Sequence, residues 1–259
     1  MIQVGFKTST GMLRDNNEDA CFVIPSDDVY IIADGVGGNN AGELASRTAV
    51  TGVAQCVRDN PLSECETDEE ICDYFSRCLS ITNDEIYALS GMYEENRGMA
   101  TTIAIAYIRE MTGYFVNVGD SRAYVYRKGC LSQVTEDHTY VNTLIRKGEL
   151  TEEDAQSHSH RNVITRAMGA EEHVEPDFFK TQLKENDIIL LCTDGLYSDV
   201  PKEEIEEILG SGESMSDVSR LLIERANQCG GNDNITVIVL KITGGENEQY
   251  STCRKIRIA

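Results

Sequence analysis

The chain is predicted to adopt an α+β fold in which antiparallel strands are covered by helices. Three features of its 259 residues predict it. β-Forming runs follow one another directly through the middle of the chain, with glycine-bearing turns between them. Two stretches of helical period stand together ahead of those runs, and two more stand together before the last strand. Strand runs separated by helix pairs point away from an alternating, parallel architecture.

Val29–Ala33 is a short apolar run closed by Asp34-Gly35, the pattern of a buried strand ending in a turn. Gly42–Val57 then sets Ala45, Ala49, Val53 and Val57 four apart, which predicts an amphipathic helix. Asp68–Met92 repeats the period with Ile71, Phe75, Cys78, Thr82, Ile86 and Leu89, a long second helix. Thr101–Ile108, Tyr114–Val118 and Ala123–Tyr126 read as meandering strands, with turns at Gly113, Gly119 and Lys128-Gly129. Helix returns at Asp137–Lys147 and Thr151–Ser157. Phe178–Leu183 and Ile188–Cys192 are strands joined through Glu185-Asn186. Pro201 opens a helix, Met215–Gln228 forms another, and Ile235–Ile242 is the last strand. Thr243–Ala259 is polar, carries Gly244-Gly245 and has no period. One domain over 1–242 and a tail or linker over 243–259 are expected.

Composition narrows the function. A net charge of -21 repels nucleic acid and anionic membrane, so neither is expected as a partner. No run of 18 apolar residues occurs, and Met1–Thr10 does not read as an export signal. A cytoplasmic enzyme is the expectation. Nine cysteines invite a zinc reading, but no pair has C-x-x-C spacing and the count is odd. Reduced thiols are expected, with Cys72, Cys78 and Cys192 packed in the core.

Four aspartates share one context, the mouth of an apolar strand beside Gly or Asn or just past a Gly turn. Asp34-Gly35 follows Val29–Ala33, Asp120 follows Tyr114–Gly119, Asp194-Gly195 follows Ile188–Thr193, and Asp233-Asn234 precedes Ile235–Ile242. Glu18-Asp19 ends Arg14-Asp15-Asn16-Asn17-Glu18-Asp19. Any one Asp-Gly pair is an ordinary turn. Several strand ends gathered at one sheet edge would instead aim short carboxylates into a hard-oxygen cage suited to Mg²⁺ or Mn²⁺.

The ordered set Arg14…Asn17-Glu18-Asp19, Ala33-Asp34-Gly35-Val36-Gly37-Gly38, Gly119-Asp120-Ser121-Arg122, Thr193-Asp194-Gly195 and Gly231-Asn232-Asp233-Asn234-Ile235-Thr236 resembles the type 2C metal-dependent protein phosphatases. Asp137-His138, His158 with Arg161-Asn162, and Ile164–Gly169 resemble the compact bacterial members. The resemblance implies a four-layer sandwich: two packed antiparallel sheets flanked by pairs of helices. It implies hydrolysis of phosphoserine and phosphothreonine on proteins by a metal-bound hydroxide. Asp34 would bridge two Mn²⁺ or Mg²⁺ ions, and Gly35 would offer its carbonyl to one. Asp194 and Asp233 would complete the other. Asp19, with Glu18, would hold the second ion through water, and Asp120 would match a third, weaker position shared with Asp194. Arg14 would grip the phosphate. Phosphorylated targets of a cognate kinase would be the partners, met by a monomer.

The chemistry is consistent. Two cations about 4 Å apart acidify a shared water and neutralise phosphate charge, and an arginine fork matches two phosphate oxygens. Rival chemistries lack their residues. No cysteine stands six positions before an arginine, and D-x-D-x-[TV] and the P-loop pattern are absent. The calcium loop that Asp15–Ala20 would begin has no glycine at its sixth position and Ser26 at its twelfth. Asn40 breaks a dinucleotide pattern at Gly35-Val36-Gly37. A phosphatase fold kept only for phosphoprotein binding would show losses among Asp34, Asp194 and Asp233, and all three are present.

Two departures are expected to matter. The resemblance makes Asp137–Gly169, with His138, His158 and His160, a mobile flap beside the site. Its usual proline after the histidine is here Ser159. Some family members carry histidine, the usual candidate for general acid, where this chain has Val36. Water in the centre is then the expected proton source for the leaving group, ahead of His138, His158, His160 and His173.

Overall fold

The computed structural model describes residues 1–37, 41–244 and 256–258. Gly38 and Asn40, which figured in the glycine motif, and Cys253 lie outside the described residues.

Two antiparallel sheets are stacked. One has the order β1 (Ile2–Ser9), β11 (Ile235–Ile242), β10 (Ile188–Cys192), β7 (Arg122–Arg127), β8 (Cys130–Gln133). The other runs β12 (Ile256–Ile258), β9 (Asp177–Gln182), β6 (Thr112–Val118), β5 (Ile103–Arg109), β3 (Val29–Val36), β2 (Asp19–Ile24), with β4 (Ala100–Thr101) paired to the end of β3. Helices α1 (Ala41–Asp59) and α2 (Asp68–Met92) cover the second sheet, while α6 (Lys202–Leu209) and α7 (Met215–Gln228) cover the first. A third apolar layer, with Tyr30, Ile32, Phe115, Phe179, Leu191 and Leu240, fills the space between the sheets. This is the expected four-layer arrangement.

Strand alternation decides which residues face that middle layer. On β3, Val29, Ile31 and Ala33 face the helices, whereas Tyr30 and Ile32 face the other sheet. β3 is therefore apolar on both sides, which is why it reads as an unbroken run. The even series continues to Asp34. Cys21 and Val23 of β2 also pack on the middle layer, and the odd series runs back to Asp19. On the opposing sheet, Ile189 and Leu191 lead to Thr193, and Leu240 and Ile238 lead to Thr236. Four polar residues thus arrive at one end of the same interface.

Strands β1, β2 and β8 and the short helix α5 (Asp194–Tyr197) add to the elements the sequence suggested. β1 is weakly patterned because it is an outer strand bonded only to β11 along Ile2–Ser9. The helix expected over Asp137–Lys147 begins only at Tyr140, as α3 (Tyr140–Arg146). Asp137 is held by Arg122 and His138 by Gly119, and Thr139 caps the helix by accepting from the Asn142 amide. α4 (Glu152–Gln156) follows it. Cys78 and Cys192 are buried as expected, but Cys72 is only half-buried. Within the segment expected to be a tail, Ile256–Ile258 pairs with Phe178–Lys180.

Candidate metal centre

Asp19 and Asp34 are direct cross-strand partners in the β2–β3 register. Like charges so opposed repel unless something neutralises them. The backbone around Asp34 is fixed on its other flank at Thr102, which interrupts the ladder between β4 and β5. Asp34 N donates to Thr102 Oγ1 at 2.9 Å, and its carbonyl accepts from Thr102 N at 2.8 Å and Thr101 Oγ1 at 2.8 Å. Thr102 Oγ1 lies 2.7 Å from Ser121 Oγ, which ties the Gly119–Arg122 turn to the same place.

The opposite sheet supplies the rest. Thr193 Oγ1 donates to Asp19 Oδ2 at 2.9 Å and accepts from Thr236 N at 3.0 Å, so one hydroxyl joins the two sheets. Asp194 opens α5 directly after β10 and lies within hydrogen-bonding reach of Asp34. Asn234 acts as a staple: its Oδ1 accepts from Glu18 N at 2.8 Å, and its Nδ2 donates to the carbonyls of Thr10 and Asn16. It sets the 10–18 loop against Asp233. Gly11, at φ +80°, sits so close that an added Cβ would lie 2.2 Å from the Asp233 carbonyl oxygen. Arg14, more than half exposed, donates from Nη2 to Asp233 Oδ2 at 2.8 Å.

Asp120 is buried on the turn after β6. Its carbonyl accepts from Tyr197 Oη at 2.9 Å, and Tyr197 belongs to the α5 turn that Asp194 opens. Arg122 lies 3.4 Å over the Tyr197 ring and grips Asp137 through Nε and Nη2. The root of the 137–169 segment is thereby tied to the Asp120 turn.

Glu18, just ahead of β2, reaches toward the first turn of α1. A Cβ built on Gly42 would stand 2.5 Å from Glu18 Oε2 and 2.9 Å from the Gly35 carbonyl carbon. Glu18 and Gly35 therefore share a small space at the first turn of α1. Only glycine at position 42 leaves that space open.

The electrostatics of the aspartates are those of a site awaiting positive charge. Burial, then Asp19 and Asp194, push the Asp34 carboxyl well above its ordinary range. Burial and the neighbouring Asp194 and Asp233 lift Asp19 to about 7, against the lowering effect of its Thr bonds. Burial and Asp194 lift Asp120 to about 7, and burial and Asp233 lift Asp194 to about 6. Asp19 Oδ1 and Asp194 Oδ1 are buried without a hydrogen-bond partner among the described residues. Among those residues no three His, Cys, Asp or Glu side chains form a closed metal cage. The donors are all carboxylate oxygens, and two of them are orphaned. They fit hard divalent cations that leave much of their coordination to water.

Arg14, Asp19, Asp34, Asp120, Asp194 and Asp233 are thus brought to one end of the sandwich, with Glu18 and Gly35 adjoining. Sequence reasoning gave no role to Thr102, Thr193, Asn234, Thr236 or Tyr197. Thr193, Asn234 and Thr236 lay inside quoted motifs; Thr102 and Tyr197 carried no such signal.

A family model for Protein phosphatase 2C matches residues 13–236. The serine/threonine phosphatase stp of Listeria monocytogenes serotype 4b is 38% identical over 239 residues, covering 91% of this chain and 94% of that protein. The structure of the S. agalactiae serine/threonine phosphatase is 34% identical, with a TM-score of 0.87 over 93% of this chain and 100% of that one. The catalytic domain of serine threonine protein phosphatase PstP, solved in complex with two manganese ions, is 32% identical with a TM-score of 0.82, covering 94% and 99%. Similarity this extensive, in sequence and in fold, makes the chain a member of the protein phosphatase 2C family.

Proposed function

We propose that this chain hydrolyses phosphoserine and phosphothreonine on proteins with Mn²⁺ or Mg²⁺ at the carboxylate centre. The observation that carries the reading is the group Asp19, Asp34 and Asp194, buried or half-buried, each raised by desolvation and then by its neighbours, with two carboxylate oxygens left unsatisfied. When bound, two divalent ions would activate water and neutralise phosphate charge. Asp34, Asp194 and Asp233 would hold the core ions with the Gly35 carbonyl, Asp19 and Glu18 would act through water, and Asp120 would serve a third ion. A phosphothreonine peptide should be turned over with Mn²⁺ and left intact in chelator. Tight phosphopeptide binding with no turnover at any Mn²⁺ concentration would instead mark a binding module.

Arg14 would exchange its Asp233 partner for phosphate oxygens, since its exposed guanidinium sits at the edge of the centre. The substrates would be targets of a partner kinase, acted on in the cytoplasm by a monomer. No described helix is long and apolar enough to cross a membrane.

Asp120→Ala is expected to slow turnover at low metal while two ions still bind tightly, as read by calorimetry. Loss of the tight sites would refute the third-ion role.

The leaving alkoxide needs a proton. His138 is committed elsewhere: Nδ1 accepts from Gly119 N at 3.1 Å, which leaves the proton on Nε2, 3.2 Å from Asp177 Oδ2. His158 and His160 pack with Tyr140, and His173 is exposed. Water is therefore the proposed donor. Single His→Ala variants should change the ratio of phosphothreonine-peptide to aryl-phosphate turnover by less than about threefold, because an aryl leaving group needs little protonation. A selective collapse on the peptide in any one variant would identify that histidine as the acid.

A further inference from the structure

Three thiols, Cys56, Cys65 and Cys78, line one cavity of about 490 Å³ between the end of α1, the turn at Leu62–Glu64 and α2. Cys56 is half-buried in the last turn of α1; Cys78 is buried behind it on α2. Tyr74, one turn before Cys78, donates from Oη to the carbonyls of Cys56 at 3.0 Å and Asn60 at 2.8 Å. Both thiols therefore sit on packed helices whose ends are fixed to each other. The position is about 21 Å along α1 from Gly42, at 1.5 Å per residue, so it is separate from the carboxylate centre.

We propose that Cys56 and Cys78 form an oxidisable dithiol site that takes a hydroperoxide and closes to a disulfide joining α1 to α2. Both thiols line the same cavity, within reach of one another, Cys78 as donor toward Cys56. That donation draws the Cys56 thiol down to about 7 against burial and Asp59, and with burial it drives Cys78 up. The carbonyl end of α1 also opposes a thiolate at Cys56. One sulfur is thus prepared as nucleophile and the other as a protonated reserve beside it. Cys65 is a poorer nucleophile: burial and Glu70 raise it, and its Sγ faces the Glu70 carbonyl at 3.7 Å.

The chemistry balances. The Cys56 thiolate attacks one peroxide oxygen, the O–O bond breaks, and the other oxygen leaves with a proton as alcohol, or as water from hydrogen peroxide. Cys56 is then a sulfenic acid. Cys78 sulfur attacks Cys56 sulfur, the S–O bond breaks, and hydroxide departs with the Cys78 proton as water. Two thiols have lost two electrons and the peroxide has gained them.

The test treats the full chain with hydrogen peroxide, blocks remaining thiols with N-ethylmaleimide, and maps the unreduced digest by mass spectrometry. A peptide pair joined through Cys56 and Cys78, lighter by two hydrogens, is expected. In Cys78→Ala the Cys56 sulfenic acid should persist and be captured by dimedone. In Cys56→Ser the link should vanish and Cys78 should be recovered alkylated after unfolding. Without any substitution, Cys56 should alkylate about fourfold faster than exposed Cys130 near neutral pH, the larger thiolate fraction being partly offset by lower nucleophilicity. Equal labelling of Cys56 and Cys130, a dominant Cys56–Cys65 link, or oxidation that leaves both thiols unpaired would overturn the assignment.

Discussion

Asp34→Asn is expected to lower kcat by roughly a thousandfold or more, the scale set by removing a charged group that organises the reacting centre. Asn keeps the shape, and the backbone bonds to Thr101 and Thr102 do not involve the side chain. What it removes is one ionisable carboxyl from a set that burial and mutual repulsion already raise. The same substitution should therefore leave the metal-free protein at least as stable as the parent. Reading activity and melting temperature on one sample separates the cases. Activity within tenfold of the parent would sink the bridging role. A lower metal-free melting temperature would show that Asp34 supports the fold instead. Asp194→Asn should behave in the same way, because its raised carboxyl has the same origin in burial and Asp233.

Much of this architecture could be read before any coordinates because it rests on period. α2 occupies Asp68–Met92, the range its apolar spacing predicts, and α7 and β11 likewise match. The carboxylates were legible for a related reason. A strand buried on both faces reads as an apolar run, and an aspartate at its mouth is conspicuous. Strand β2 was missed although Ala20–Ile24 is as long an apolar run as Val29–Ala33; at the sheet edge its four central residues are only half-buried. Missing it also hid the pairing of Asp19 with Asp34, which depends on register, a long-range property. Thr193 was quoted only as the neighbour of Asp194. Its contact with Asp19 spans 174 positions and two sheets, and nothing local announces it. Arg14 is a further case. Sequence could name the arginine, but only the fold shows the carboxylate that holds it.

Divalent metal should stabilise the chain far more at about pH 8 than at about pH 5, and the sign follows from the raised aspartates. In the metal-free fold Asp19 and Asp120 keep their protons up to about 7, against an ordinary value of 3.8. A folded value above the unfolded one means that the folded state binds more protons between the two. Their contribution is fully present below the unfolded value and is lost as pH rises through the folded value. Bound cations reverse the sense, because they favour the ionised carboxylates and so remove the penalty. Groups held low, such as Asp68 through Lys180 and Tyr114, lose their contribution only below the ordinary carboxylate value and leave this window clear. Differential scanning fluorimetry in Mn²⁺ or chelator across this range reads the result directly. The increment due to metal should widen as pH rises, and Asp19→Asn should flatten the metal-free curve. An increment independent of pH, or a metal-free melting temperature that climbs from about pH 5 to about pH 8 in the parent, would mean that these carboxylates are not held protonated by one another.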